Sequence, residues 1–151
     1  MLLYVLIALS VGIEGGYNFS AVGFDNLHSG PVLSIFASRD FGIADFTLSL
    51  ETDFYHGKNN AYSVNFYGVR IHTFKSTWRF SPVIEFGAEY MTRNLNTAKE
   101  SGYVFTYGIG LVINFTVDRL RIYPKLCYDG ITDFKEHAGF IGMKIGIAYD
   151  I

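Results

Sequence analysis

Tyr103-Val104-Phe105-Thr106-Tyr107-Gly108-Ile109-Gly110-Leu111-Val112-Ile113-Asn114-Phe115 sets a bulky apolar side chain at every second position, with Val, Thr, Gly and Asn between. A period of two marks a β-strand whose two faces meet different surroundings. The same stripe recurs in seven further segments. Its members are Ile13, Gly15, Tyr17 and Phe19; Leu33, Ile35 and Ala37; Phe46, Leu48, Leu50, Thr52 and Phe54; and Tyr67, Val69, Ile71 and Thr73. Next come Trp78, Phe80, Pro82, Ile84, Phe86, Ala88 and Tyr90; Leu120, Ile122, Pro124, Leu126 and Tyr128; and Ile141, Met143, Ile145, Ile147 and Tyr149. No Asp, Glu, Lys or Arg falls on any stripe. The alternate register holds nearly all the strand charges, mixed with Gly, Ser and Thr.

The pattern predicts strands over 11–23, 31–39, 44–55, 62–73, 78–93, 103–115, 119–129 and 140–150. These lengths meet the ~9–11 residues that a tilted strand needs to cross a bilayer. The connections Phe24 to Gly30, His56 to Ala61, Asn94 to Gly102 and Gly130 to Gly139 are long and polar. Those around Asp40-Phe41-Gly42, Lys75-Ser76-Thr77 and Thr116-Val117-Asp118 are tight. Alternating long and short connections are what an even-numbered barrel with extracellular loops and periplasmic turns shows. In the fourth segment Val64 and Phe66 fall out of step with Tyr67, Val69 and Ile71. That predicts either a β-bulge near Phe66 or an upper strand end that stands clear of lipid.

Half of the 151 residues are hydrophobic and only 17% are charged, so the water-facing surface is small. A soluble domain carries roughly 25% charged residues. The length suits one domain. A formal net charge of −2, with no basic stripe interleaved with stacking aromatics, sets nucleic-acid binding aside. Met1 to Ser10 is an apolar run that ends in the small-x-small pattern Ala8-Leu9-Ser10. It predicts a signal-peptide remnant over 1–10, cut near Ser10 or Gly12, ahead of a barrel domain over 11–151. Cys127 has no intrachain disulfide partner and reads as a small buried side chain. No His/Cys spacing calls for a metal, and no cofactor is expected.

Alternation by itself does not say which face is inside, so a soluble lipocalin-like barrel stands against a membrane barrel. The polar register favours the membrane. Gly16, Gly68, Gly87, Gly108, Gly110, Gly142 and Gly146 lie on it. Glycine weakens a solvated strand, whereas a narrow eight-stranded bore crowds its backbones and needs small residues. Glu14, Asp45, Glu51, Glu85 and Glu89 then face Arg70, Arg79, Arg121, Lys125 and Lys144 as a self-neutralising lumen charge network, with Asp53 and Arg93 on the same register. His72 reads as a satisfied interior polar group. Trp78, Phe80, Phe115 and Tyr149 at one rim and Phe54, Tyr90, Tyr103 and Tyr128 at the other read as lipid-facing girdles.

With its leader, eight alternating segments, lumen charges and a final segment Phe140-Ile141-Gly142-Met143-Lys144-Ile145-Gly146-Ile147-Ala148-Tyr149-Asp150-Ile151, the chain resembles the small outer-membrane β-barrel proteins of the porin-like superfamily. The resemblance implies an all-β, eight-stranded antiparallel up-and-down transmembrane barrel in the bacterial outer membrane. It implies outer-membrane lipids and the barrel-assembly machinery as partners, and a monomer. In that family the last strand usually ends in an aromatic residue; here Ile151 stands last, with Tyr149 two before it.

Some relatives of this architecture modify lipid A by acyl hydrolysis or transfer. The residues to be weighed for that chemistry are Asp25, His28 and Ser29, then Asp53 and His56, then Glu136 and His137. A serine hydrolase needs its His within hydrogen-bond reach of Ser and of an orienting acid. Adjacent strand residues such as His28 and Ser29 point to opposite faces, so these residues read as ordinary polar loop groups. The expected role is structural or surface-interacting, without catalysis. Eight strands filled by side chains leave no pore.

Overall fold

The computed structural model describes residues 9–23, 28–57, 62–95, 99–133 and 137–151. Each alternating segment becomes a strand: β1 (Leu9–Val22), β2 (Gly30–Asp40), β3 (Asp45–His56), β4 (Tyr62–Phe74), β5 (Phe80–Leu95), β6 (Lys99–Ile113), β7 (Phe115–Val117), β8 (Leu120–Thr132) and β9 (His137–Asp150). The short β7 continues β6 beyond Asn114. Both pair with β8 in one register, from Val112 opposite Lys125 to Phe115 opposite Ile122. Nine elements therefore make eight staves.

Every neighbouring pair is antiparallel, and β1 returns to β9 to close the cylinder. Closure gives every stave a hydrogen-bonded neighbour on both sides, which is the condition for strands to sit in hydrocarbon. β1 starts at Leu9, two residues ahead of the predicted domain boundary, and Met1 to Ala8 lie outside the described residues. The hairpin of β5 and β6 is longer than predicted: Thr92, Arg93 and Asn94 pair with Ser101, Glu100 and Lys99. Backbone pairing needs no apolar side chains, so the ladder runs on into the segment read as a loop.

The fourth segment carries no bulge, because β4 pairs with β3 and with β5 in unbroken register. Val64 and Phe66 are fully buried in the lumen. The register shift lies instead on β1, between Ser20 and Val22 against β9.

Leu111, Ile122 and Ile145 are exposed on the outside, while Arg121 and Lys144 are buried within. A soluble barrel with its aromatic stripe enclosed is thereby excluded. Inside, the lumen is layered. Tyr55, Val64, Phe66, Val104, Ile131, Ala138 and Phe140 form an apolar cluster toward the long-loop end. Phe36, Phe74, Val83, Val112, Tyr123 and Ala148 form a second one toward the short turns. The central charges are held between the two.

Candidate functional site

The pleat turns Glu14 of β1, Glu51 and Asp53 of β3, Arg70 and His72 of β4, and Glu85 and Glu89 of β5 into the bore. It does the same for Lys125 and Asp129 of β8 and Lys144 of β9. Arg70 is the hub. Its guanidinium lies 2.6 Å from Glu89, 3.0 Å from Glu51, 3.5 Å from Asp129, and 3.7 Å from both Asp53 and Glu85. Lys125 Nζ bridges Glu14 at 2.6 Å and Glu85 at 2.7 Å. Lys144 Nζ bridges Asp129 at 3.0 Å and Glu51 at 3.2 Å. Tyr55 Oη donates to Asp53 at 3.1 Å and accepts from Asn18 at 2.8 Å, tying the upper apolar cluster to the charges.

Burying an ion is costly unless partners surround it, and here each cation serves at least two carboxylates. Acids remain in excess: Glu14, Glu51, Asp53, Glu85, Glu89 and Asp129 stand against Arg70, Lys125 and Lys144, with His72 beside them. Inward glycines make room for this layer. A Cβ on Gly108 would lie 2.7 Å from Asp129 Oδ1, and one on Gly142 would lie 2.6 Å from Asn18 Oδ1.

Of the ten residues read as one network, Glu14, Glu51, Arg70, Glu85, Glu89, Lys125 and Lys144 come together. Asp45 and Arg121 form a separate group 3.6 Å apart at the short-turn end, below the lower apolar cluster, where Lys75 joins Asp45 at 3.5 Å and Asp40 at 2.7 Å. Arg79 is not in the lumen at all. It precedes β5, where the pleat has not begun, and its exposed guanidinium sits 5.2 Å above the Phe115 ring. Asp129 is the member that the sequence reading passed over, although it shares the register of Arg121 and Lys125. The girdle residues Trp78, Phe80, Tyr90, Tyr103, Phe115 and Tyr149 are exposed and Tyr128 is half-buried on the outer face.

Among the described residues, those weighed for hydrolysis do not assemble. Asp25 and Glu136 lie outside the described residues. His28 and His56 meet through their backbones at 2.8 Å. Asp53 is buried in the bore while His56 is exposed. On the outer surface His137 Nδ1 lies 3.2 Å from Tyr107 Oη and Nε2 lies 3.2 Å from Tyr128 Oη. An unforeseen relay does exist in the bore. Ser49 Oγ is 2.7 Å from His72 Nε2, and His72 Nδ1 is 3.1 Å from Glu85 Oε1. This is the hydrogen-bond order of a hydrolytic triad. The enclosed cavity beside it measures only about 10 Å³, room for one water and not for an ester. His72 stands directly opposite Glu85 across β4 and β5, while Ser49 reaches it on the diagonal from β3, and no sequence spacing announces such a contact.

No family model matches the chain, and no curated protein matches it. Among solved structures it is similar to Neisserial surface protein A, with 9% identity, 95% of this chain and 97% of that one covered, and a TM-score of 0.61. It is similar to Ail, the attachment invasion locus protein of Yersinia pestis, with 14% identity, coverage of 93% and 98%, and a TM-score of 0.59. A major outer membrane protein from Thermus thermophilus aligns with 10% identity, coverage of 97% and 100%, and a TM-score of 0.62. At these identities the likeness is one of fold. With its uncharged belt outside and its charges enclosed, the chain has the fold of the small eight-stranded outer-membrane β-barrels.

Proposed function

We propose that this protein is a non-conducting integral barrel of the bacterial outer membrane, serving as a structural or surface-interaction module and not as an enzyme. The observation that carries the reading is the filled bore, blocked in turn by Phe66 and Phe140, by the Arg70 hub, and by Phe74 and Tyr123. A barrel of eight strands is wide enough for side chains and no wider. The lipid belt holds the protein in place, and its long-loop end supplies the contacts. The protein named for attachment among its structural neighbours supports a role at the cell surface.

On this reading outer-membrane lipids surround a monomer that the barrel-assembly machinery inserts. The test is planar-bilayer recording on purified protein. Baseline current with rare, brief events is expected; steady, large conductance overturns the proposal.

A further inference from the structure

On β2 a dip in the outer belt runs down to a rim arginine. On β2 the outward positions run Ile35, Ala37 and Arg39, and Ala37 lies directly between Val11 of β1 and Leu48 of β3. A methyl group flanked by two branched side chains leaves a furrow. Two adjoining surface depressions, of about 560 and 270 Å³, meet over Ala37 and Leu48. From Ile35 to Arg39 the furrow extends ~13 Å at the usual strand rise, close to half of a ~30 Å hydrocarbon layer. It therefore runs through one leaflet, the one at the short-turn end.

Arg39 closes the furrow at the membrane rim. Its guanidinium rests 5.3 Å from the Phe41 ring, and it has no carboxylate partner among the described residues. Lys75, at the same end, is already taken by Asp40. A free guanidinium at headgroup depth matches a phosphate, to which it can offer two parallel N–H donors. The apolar trough beneath it matches an acyl chain.

We infer that this furrow holds one phospholipid of the periplasmic leaflet, with an acyl chain over Ala37 between Val11 and Leu48 and its phosphate on Arg39. The inference rests on the membrane placement proposed above. Purification tests that placement separately, because a protein that stays soluble without detergent overturns the membrane reading before any lipid is added.

The experiment is native mass spectrometry of the full chain released from detergent micelles after incubation with phosphatidylglycerol. Wild type, Ala37→Leu, Ala37→Val, Arg39→Gln and Arg79→Gln are compared, each first checked for heat-modifiable gel mobility. Wild type should retain one lipid. Filling the furrow with Leu should cut that retention about tenfold, the factor carried by ~1.4 kcal/mol, and Val should cut it less. Val also serves in place of Leu if the larger side chain hinders folding. Arg39→Gln should weaken retention, and Arg79→Gln, at a rim arginine whose depression is lined by the polar Ser76, Asn114, Thr116 and Asp150 instead of an apolar trough, should not. Equal retention by wild type and the Ala37 variants overturns the site. So does an equal loss with Arg79→Gln, which marks general attraction at the rim, or a wild-type dimer broken by Ala37→Leu, which assigns the furrow to a second copy.

Discussion

Replacing Arg70 with Met removes the guanidinium that five carboxylates share, from Glu89 at 2.6 Å to Asp53 and Glu85 at 3.7 Å. The layer then holds six carboxylates against Lys125 and Lys144 alone. Breaking a buried ion pair from one side costs about 3–5 kcal/mol, and because Arg70 serves several acids the loss belongs near the top of that range. Glu89→Gln acts on the side already in excess. Its amide oxygen still accepts from Arg70 Nε, so a charged hydrogen bond is weakened without orphaning a cation, for about 1–2 kcal/mol. The sign of the difference follows from the count of charges.

Urea unfolding in lipid vesicles measures both variants, with fluorescence of Trp78, the single tryptophan, as one probe and unboiled gel mobility as the other. Trp78 is exposed at the short-turn rim, where loss of the membrane changes its surroundings. If Arg70→Met falls within ~1 kcal/mol of wild type, or if the two variants cost the same, the hub assignment is refuted. The double variant should cost less than the sum of the singles, because neighbours in one network couple by about 0.5–3 kcal/mol.

Ile109→Lys places an ammonium on the outer belt, where about 2–4 kcal/mol is expected at mid-bilayer and insertion yield should fall. Thr106→Lys is also unfavourable, since Thr106 is 1% exposed and packs close to Gly87, but its cost should not change with bilayer thickness. Thickness series in vesicles separate the two, and identical responses would undo the assignment of faces. Ser49 should resist fluorophosphonate labelling in the folded barrel despite its bond to His72; a labelled Ser49 would show that the lumen admits reagents.

Period two was enough to read eight staves and to say which side chains share a face, because the pleat enforces it residue by residue. Leu111 went outside and Lys144 inside for that reason. What alternation does not report is composition along the axis of the bore. Tyr55, Phe66, Phe74 and Tyr123 occupy inward positions that polarity rules would assign to water or charge. Val64 and Phe66 thus resembled a break in phase when they are a plug. Arg79 shows the opposite failure: period two extrapolated inward, but the ladder begins only at Phe80. The Ser49, His72 and Glu85 contact was illegible because it depends on the register of three strands, with Glu85 opposite His72 and Ser49 on its diagonal. Charge partners such as Lys125 and Glu14 lie far apart in sequence for the same reason.

The links from one end of the chain to the other impose an order on assembly. Lys125 of β8 needs Glu14 of β1, and Lys144 of β9 needs Glu51 of β3. Neither contact exists before β1 and β9 zip together along their ladder from Ser10 to Val22. A sheet still open at that seam carries two ammonium groups, each with one of its counter-charges out of reach. Joining the termini is then the step that quenches them, and a seam that reopens in oil meets the same electrostatic barrier in reverse.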